Sequence, residues 1–145
     1  MLDFLLPGWL THELMDVLER LRSPFTLAHF GMFPAREGTE QPGFRRLLEL
    51  LRHGEGRCWV KLTGLYRISR QPGFADAAPL AQALMEAAPD RLLWGSDFPH
   101  LSFAAKVGTV ELFNLLAAWA PDEALRRRIL VENPRALFGF SLQEG

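Results

Sequence analysis

The polar residues that could do chemistry follow three short apolar runs. His29 follows Phe25–Ala28. Thr63, Tyr66 and Arg67 follow Cys58–Leu62. Ser96, Asp97 and His100 follow Leu92–Trp94. Asp97 is the leading candidate. It lies between Leu92-Leu93-Trp94-Gly95 and Phe98-Pro99, and a carboxylate in such a setting is partly desolvated. Desolvation is expected to raise its pKa toward that of a useful general base. The competing reading is a turn-capping aspartate. His29 suits hydrogen bonding to a substrate carbonyl, proton transfer or metal ligation; a core histidine bonded to a neighbouring strand is the alternative. Arg67 offers a planar fork to a carboxylate and Tyr66 one oriented donor, unless Arg67 is simply solvated. Ser96 and His100 complete the set as candidate substrate contacts, His100 with the alternative of capping its loop.

Residues so far apart in sequence meet only if the fold gathers them. Apolar runs alternate with amphipathic stretches along the chain, the pattern of βα units on a parallel sheet. Strands are expected at Leu2–Leu6, Phe25–His29, Cys58–Thr63 and Leu92–Trp94. Helices are expected from Thr11, as N-cap, to Leu21, then over Phe44–His53, Ala75–Ala88 and Val107–Ala120. Another runs from an Asp122 cap to about Val131, and a short last one is capped by Asn133 with Pro134 in its first turn. Ligands in such folds bind at the C-terminal ends of the strands, where the polar residues above would share one rim. About four such units make an open sheet or half of a barrel. The chain starts almost at once on a core strand, so a preceding half is expected.

The remaining composition narrows the function classes. The 145 residues carry a net charge of -1, with 48% hydrophobic and 23% charged residues, an ordinary globular balance. Nothing favours nucleic acid or a membrane surface as partner. The single cysteine, Cys58, excludes an internal disulfide and fits a reducing, cytoplasmic setting; it reads as a buried structural thiol. The four histidines are scattered, with no His-x-His or His-x-x-x-His pair, so no self-contained zinc site is expected. Lys61, inside a strand, is expected to point into the barrel mouth or, the favoured reading, to snorkel between helices. Trp9, Trp59, Trp94 and Trp119 are expected in the core. The Arg126–Arg128 run reads as a solvated helix face.

Four segments carry a resemblance. Trp59-Val60-Lys61-Leu62-Thr63-Gly64-Leu65-Tyr66-Arg67, followed by Leu93-Trp94-Gly95-Ser96-Asp97-Phe98-Pro99-His100, resembles the amidohydrolase-2 superfamily. The nearest branch is that of the 2-pyrone-4,6-dicarboxylate lactonases. Leu27-Ala28-His29-Phe30-Gly31 is similar to its histidine strand, and Ile129–Pro134 with Leu137–Phe140 to its C-terminal signature. The resemblance implies a (β/α)₈ TIM barrel that hydrolyses a cyclic ester or amide. It implies that Asp97 activates water, that His29 polarises the carbonyl, and that Arg67, with Tyr66 near it, lies in the region holding a substrate carboxylate. The lactonase branch works without bound metal, while relatives bind zinc or manganese, so a divalent ion such as zinc is the one cofactor left open.

Two departures qualify this expectation. The first-strand His-x-His motif has no counterpart, so residues 1–145 read as the C-terminal half of a barrel domain, weakly active alone. Met32 stands after Gly31, where the lactonases tend to carry a basic residue, which argues against a dicarboxylate pyrone. The expected partner is a small carboxylate-bearing substrate. The alternative is a non-catalytic remnant that forms a homodimer through its open strand edges or binds anions.

Overall fold

The computed structural model describes residues 1–140. Its four strands are β1 (Leu2–Phe4), β2 (Phe25–Leu27), β3 (Cys58–Leu62) and β4 (Leu92–Trp94). They pair in parallel in the order β1-β2-β3-β4, with Leu2 opposite Phe25, Phe25 opposite Cys58, and Val60 opposite Leu92. The helices are α1 (Gly8–Glu13), α2 (Met15–Glu19), α3 (Pro42–His53), α4 (Leu65–Ile68), α5 (Ala78–Ala87), α6 (Thr109–Trp119), α7 (Glu123–Arg127) and α8 (Asn133–Phe138). This is the α/β arrangement expected of about four units of a TIM barrel, left open at β1 and β4.

The two faces of the sheet differ because side chains alternate along a strand. Phe25, Leu27, Val60, Leu62 and Leu92 enter a core completed by Leu47, Leu51, Leu80 and Leu84 of α3 and α5. Each fully buried leucine or phenylalanine contributes about 1.5–3 kcal/mol. Asp3, Thr26, Trp59, Lys61 and Leu93 fall on the opposite face. Lys61 therefore does not snorkel between helices. It reaches Asp3 Oδ2 at 2.7 Å across β2, and Asp3 Oδ1 accepts from Thr26. A lysine on this face has a carboxylate in reach, which the helix side does not offer.

The chain leaves the strands earlier than the apolar runs imply. β2 stops at Leu27 and β3 at Leu62, so His29 and Thr63 belong to loops. Thr11 is no cap: α1 begins at Gly8, and the Thr11 hydroxyl instead donates to Gly31 O at 3.2 Å. Trp9 is 64% exposed and is not a core residue. Asp122 does cap α7, accepting from the Ala124 amide at 3.0 Å.

Asn133 also differs from expectation. A π turn over Arg128–Glu132 runs straight into α8, so no free helix start needs a cap there. The buried Asn133 amide donates to Pro89 O and Leu92 O, both at 2.8 Å, and ties the last helix to the entry of β4. Asn133→Ala would strand two carbonyls and is expected to cost about 1–3 kcal/mol. Urea unfolding measures this, and a variant as stable as the parent would contradict the role.

Candidate active site

The loops after β2, β3 and β4 converge on Asp97. The backbone at this rim is unusual. His29, Phe30, Met32, Asp97, His100 and Ser102 all have positive φ without being glycine. Such residues cost on the order of 1–3 kcal/mol each and cluster where geometry matters more than stability. Gly64 is a case where only glycine fits. Its φ is 58°, and a Cβ there would lie 2.4 Å from His29 Nδ1.

Asp97 Oδ2 is the hub. Tyr66 Oη donates to it at 2.6 Å and Arg67 Nε at 3.1 Å, while His29 Nε2 stands 3.9 Å away. No described hydrogen bond reaches Oδ1. Arg67 also stacks on the Tyr66 ring, 5.4 Å from its centroid, and lies 5.9 Å from that of Phe103. Phe103 in turn packs on Tyr66 at 4.8 Å.

The expected rise in the Asp97 pKa is not found. Partial burial pushes it up, but the hydrogen bonds from Tyr66 and Arg67 and the nearby His29 and Arg67 charges outweigh that. They hold the carboxyl below its ordinary value. The local apolar sequence conveys the desolvation but not the two donors that arrive from α4, which follows β3. Burial, reinforced by Asp97, drives the Tyr66 phenol far upward, so it stays a donor.

His29 is 5% exposed. Its Nδ1 meets Thr63 Oγ1 at 2.7 Å, and the same oxygen accepts from the His29 amide at 3.3 Å. Burial lowers the imidazole pKa more than the Asp97 charge raises it, so the neutral ring is favoured. If Thr63 donates to Nδ1, the proton sits on Nε2, facing Asp97 and the open side of the sheet.

The structure thus brings together Asp97, His29, Arg67 and Tyr66. His100 joins them from behind. It is buried, its Nδ1 is 3.4 Å from Tyr66 Oη, and its Nε2 is 3.1 Å from Thr109 Oγ1. Ser96 sits apart in function: its hydroxyl accepts from the Phe98 amide at 3.2 Å and shapes the turn. Thr63 is placed on the rim by sequence but given no role, and Gly64 and Phe103 are not singled out as site residues. Only the β3–β2 contact reveals the first two, and Phe103 lies in a turn-rich stretch without periodicity.

A protein-family model described as Amidohydrolase matches residues 6–140. The chain belongs to the amidohydrolase family. It is 44% identical over 132 residues to a 4-sulfomuconolactone hydrolase of Hydrogenophaga intermedia, covering 88% of this chain and 43% of that protein. It is 38% identical to a D-galactarolactone isomerase of Agrobacterium fabrum, covering 92% and 46%. A Pseudomonas putida crystal structure with a provisional 2-pyrone-4,6-dicarboxylic acid hydrolase name superimposes with a TM-score of 0.80. It is 36% identical, with 90% of this chain and 48% of that one covered. The chain spans about half the length of these amidohydrolases, and its four strands match part of their TIM barrels.

A divalent ion is the one cofactor the sequence leaves open, so the donor set here is relevant. Among the described residues no three His, Cys, Asp or Glu side chains converge on a point. His29 and Asp97 form a pair, while His100 is committed to Tyr66 and Thr109. The described residues therefore do not by themselves make a metal centre. No helix among them is long and apolar enough to cross a membrane.

The His29 environment makes stability depend on pH. The folded ring binds its proton less readily than the unfolded one, whose pKa is about 6.5. Its contribution is complete above that value and is lost as pH falls through the lowered folded pKa. Asp97, with an ordinary value of 3.8, acts only at lower pH. Between about pH 7.5 and about pH 5 the parent is expected to lose more stability than His29→Gln in urea titrations. Equal losses would contradict the burial argument.

Proposed function

We propose that this chain supplies the C-terminal, water-activating half of a barrel that hydrolyses a small carboxylate- or sulfonate-bearing lactone. The observation that carries the reading is the asymmetry of Asp97. Tyr66 and Arg67 both bind Oδ2, which leaves Oδ1 free for water, and the neutral His29 ring lies beside it. The names of the relatives are consistent with lactone chemistry.

Water donates a proton to Asp97 Oδ1 as its oxygen attacks the ring carbonyl carbon. His29 Nε2–H donates to the carbonyl oxygen as negative charge develops there. The tetrahedral species collapses, the acyl–oxygen bond of the ring breaks, and Asp97 returns its proton to the leaving alkoxide, giving a hydroxy acid. A carboxylate held below its ordinary pKa is a weak base in the free protein. Substrate binding corrects this in two ways: it excludes water, and an anionic substrate draws on the Arg67 charge. A positioned base contributes about 10²–10⁴-fold. Full oxyanion stabilisation calls for further donors, which the opposite half of the barrel would supply, so weak hydrolysis is expected from this chain alone.

The test uses two proteins, this chain and a chimera in which it replaces the matching segment of the Hydrogenophaga hydrolase. Both are assayed on sulfonated and carboxylated lactones. The chimera is expected to hydrolyse lactone, and Asp97→Asn to lower kcat by about 10²-fold or more with little change in KM. A folded chimera that is inactive, or an Asp97→Asn variant that keeps its rate, would overturn the proposal. Inactivity of the folded chimera would favour the non-catalytic reading.

A further inference from the structure

The hydrogen bonds around Tyr66 run past the hub and end on α6. Tyr66 Oη lies 2.6 Å from Asp97 Oδ2 and 3.4 Å from His100 Nδ1, and His100 Nε2 lies 3.1 Å from Thr109 Oγ1. His100 is buried, so its two ring nitrogens depend on these two contacts. Thr109 is the exposed first residue of α6. His100, expected as a substrate contact, thus spends both nitrogens inside the protein.

Counting hydrogens gives this chain a direction. A phenol has one hydrogen and an ionised carboxylate has none. Burial, reinforced by Asp97, keeps the Tyr66 phenol un-ionised, so the short bond to Oδ2 uses its hydrogen. Toward His100 the phenol oxygen can only accept, which puts a hydrogen on His100 Nδ1. In the neutral ring Nε2 then has a lone pair, and the Thr109 hydroxyl donates to it. Every hydrogen points the same way, from Thr109 to His100 to Tyr66 to Asp97. Bonds in such a chain polarise and strengthen one another where the dielectric is low. The other tautomer breaks the order. With its hydrogen on Nε2, His100 would present a bare Nδ1 to Tyr66, and the phenol would have two acceptors for one hydrogen. Asp97 would then lose part of its shortest bond.

We propose that Thr109 and His100 are positioning residues. Thr109 fixes the tautomer of His100, and His100 thereby commits the hydroxyl hydrogen of Tyr66 to Asp97 Oδ2, which leaves Oδ1 for water. The catalytic consequence rests on the lactone-hydrolase reading; the order of the hydrogen bonds does not. An exposed threonine on α6 in this way controls a carboxylate three hydrogen bonds away.

The test compares the parent with Thr109→Val, which keeps the shape and removes the hydroxyl, and with Thr109→Ser, which keeps the hydroxyl. Arg67 and His29, which also face Asp97, are the same in all three. Nitrogen-15 NMR of the whole chain at about pH 7 reads the His100 tautomer, assigned against His100→Asn. Carbon-13 NMR reads the Asp97 carboxyl titration, and circular dichroism checks the fold. The parent is expected to carry its His100 hydrogen on Nδ1. Thr109→Val is expected to move it toward Nε2 and to shift the Asp97 midpoint upward, because a donor to the ionised form is weakened. Thr109→Ser is expected to match the parent. In the chimera described above, Thr109→Val is expected to lower kcat roughly three- to tenfold with little change in KM, and Thr109→Ser to keep the rate. A parent ring protonated on Nε2 alone, or on both nitrogens, would overturn the proposal, and that measurement needs no variant to fold. A folded Thr109→Val protein with the parent's tautomer and Asp97 midpoint would overturn it too. Tautomer and titration that follow Thr109 without Asp97-dependent turnover sink the catalytic reading alone. Asp97-dependent turnover with tautomer and kcat indifferent to Thr109 sinks the positioning role alone.

Discussion

Two hydrogen bonds from one short helix, α4, to one oxygen organise this rim. Tyr66 and Arg67 leave the end of β3 and both donate to Asp97 Oδ2 beyond β4. Bonds to an ionised acceptor are among the stronger ones in proteins. They fix the carboxylate's orientation, keep it charged, and lock two neighbouring strand loops together. Everything else near the site is arranged around that link. Phe103 packs behind Tyr66, His100 backs its hydroxyl, and the unusual backbone at Asp97 turns the side chain toward its donors.

The second fixed point is His29, and it is built differently. No counter-ion in contact holds it; the nearest carboxylate oxygen is 3.9 Å away. Its position comes from Thr63 on the adjacent strand's loop and from the space that Gly64 leaves for the ring. The two groups are pushed apart in character: a carboxylate kept ionised by its donors, and an imidazole kept neutral by burial. Such a separation assigns acid–base roles to a pair of titratable groups.

Much of this was legible in the sequence, and the failures share a cause. The four βα units follow from apolar runs and helical spacing, because local pattern dictates them. The rim residues follow from one rule about strand ends. What sequence could not give is the set of contacts between loops. Asp97 reads as a carboxylate with a raised pKa because its own neighbours are apolar; its donors sit thirty residues earlier. Lys61 reads as awkward inside a strand until parallel register brings it to Asp3. Asn133 looks like a cap because Asn-Pro often is one, and only the packed structure shows it serving the entry of β4.

The state of the His29 ring tests the account most directly. Nitrogen-15 NMR of the labelled protein at about pH 7 distinguishes the imidazolium from the two neutral tautomers. The account predicts a neutral ring with its proton on Nε2 and its Nδ1 accepting from Thr63, a form able to polarise a carbonyl beside an ionised Asp97. A doubly protonated ring, or one with its proton on Nδ1, would contradict it, because the face toward Asp97 would then carry the wrong charge or no donor.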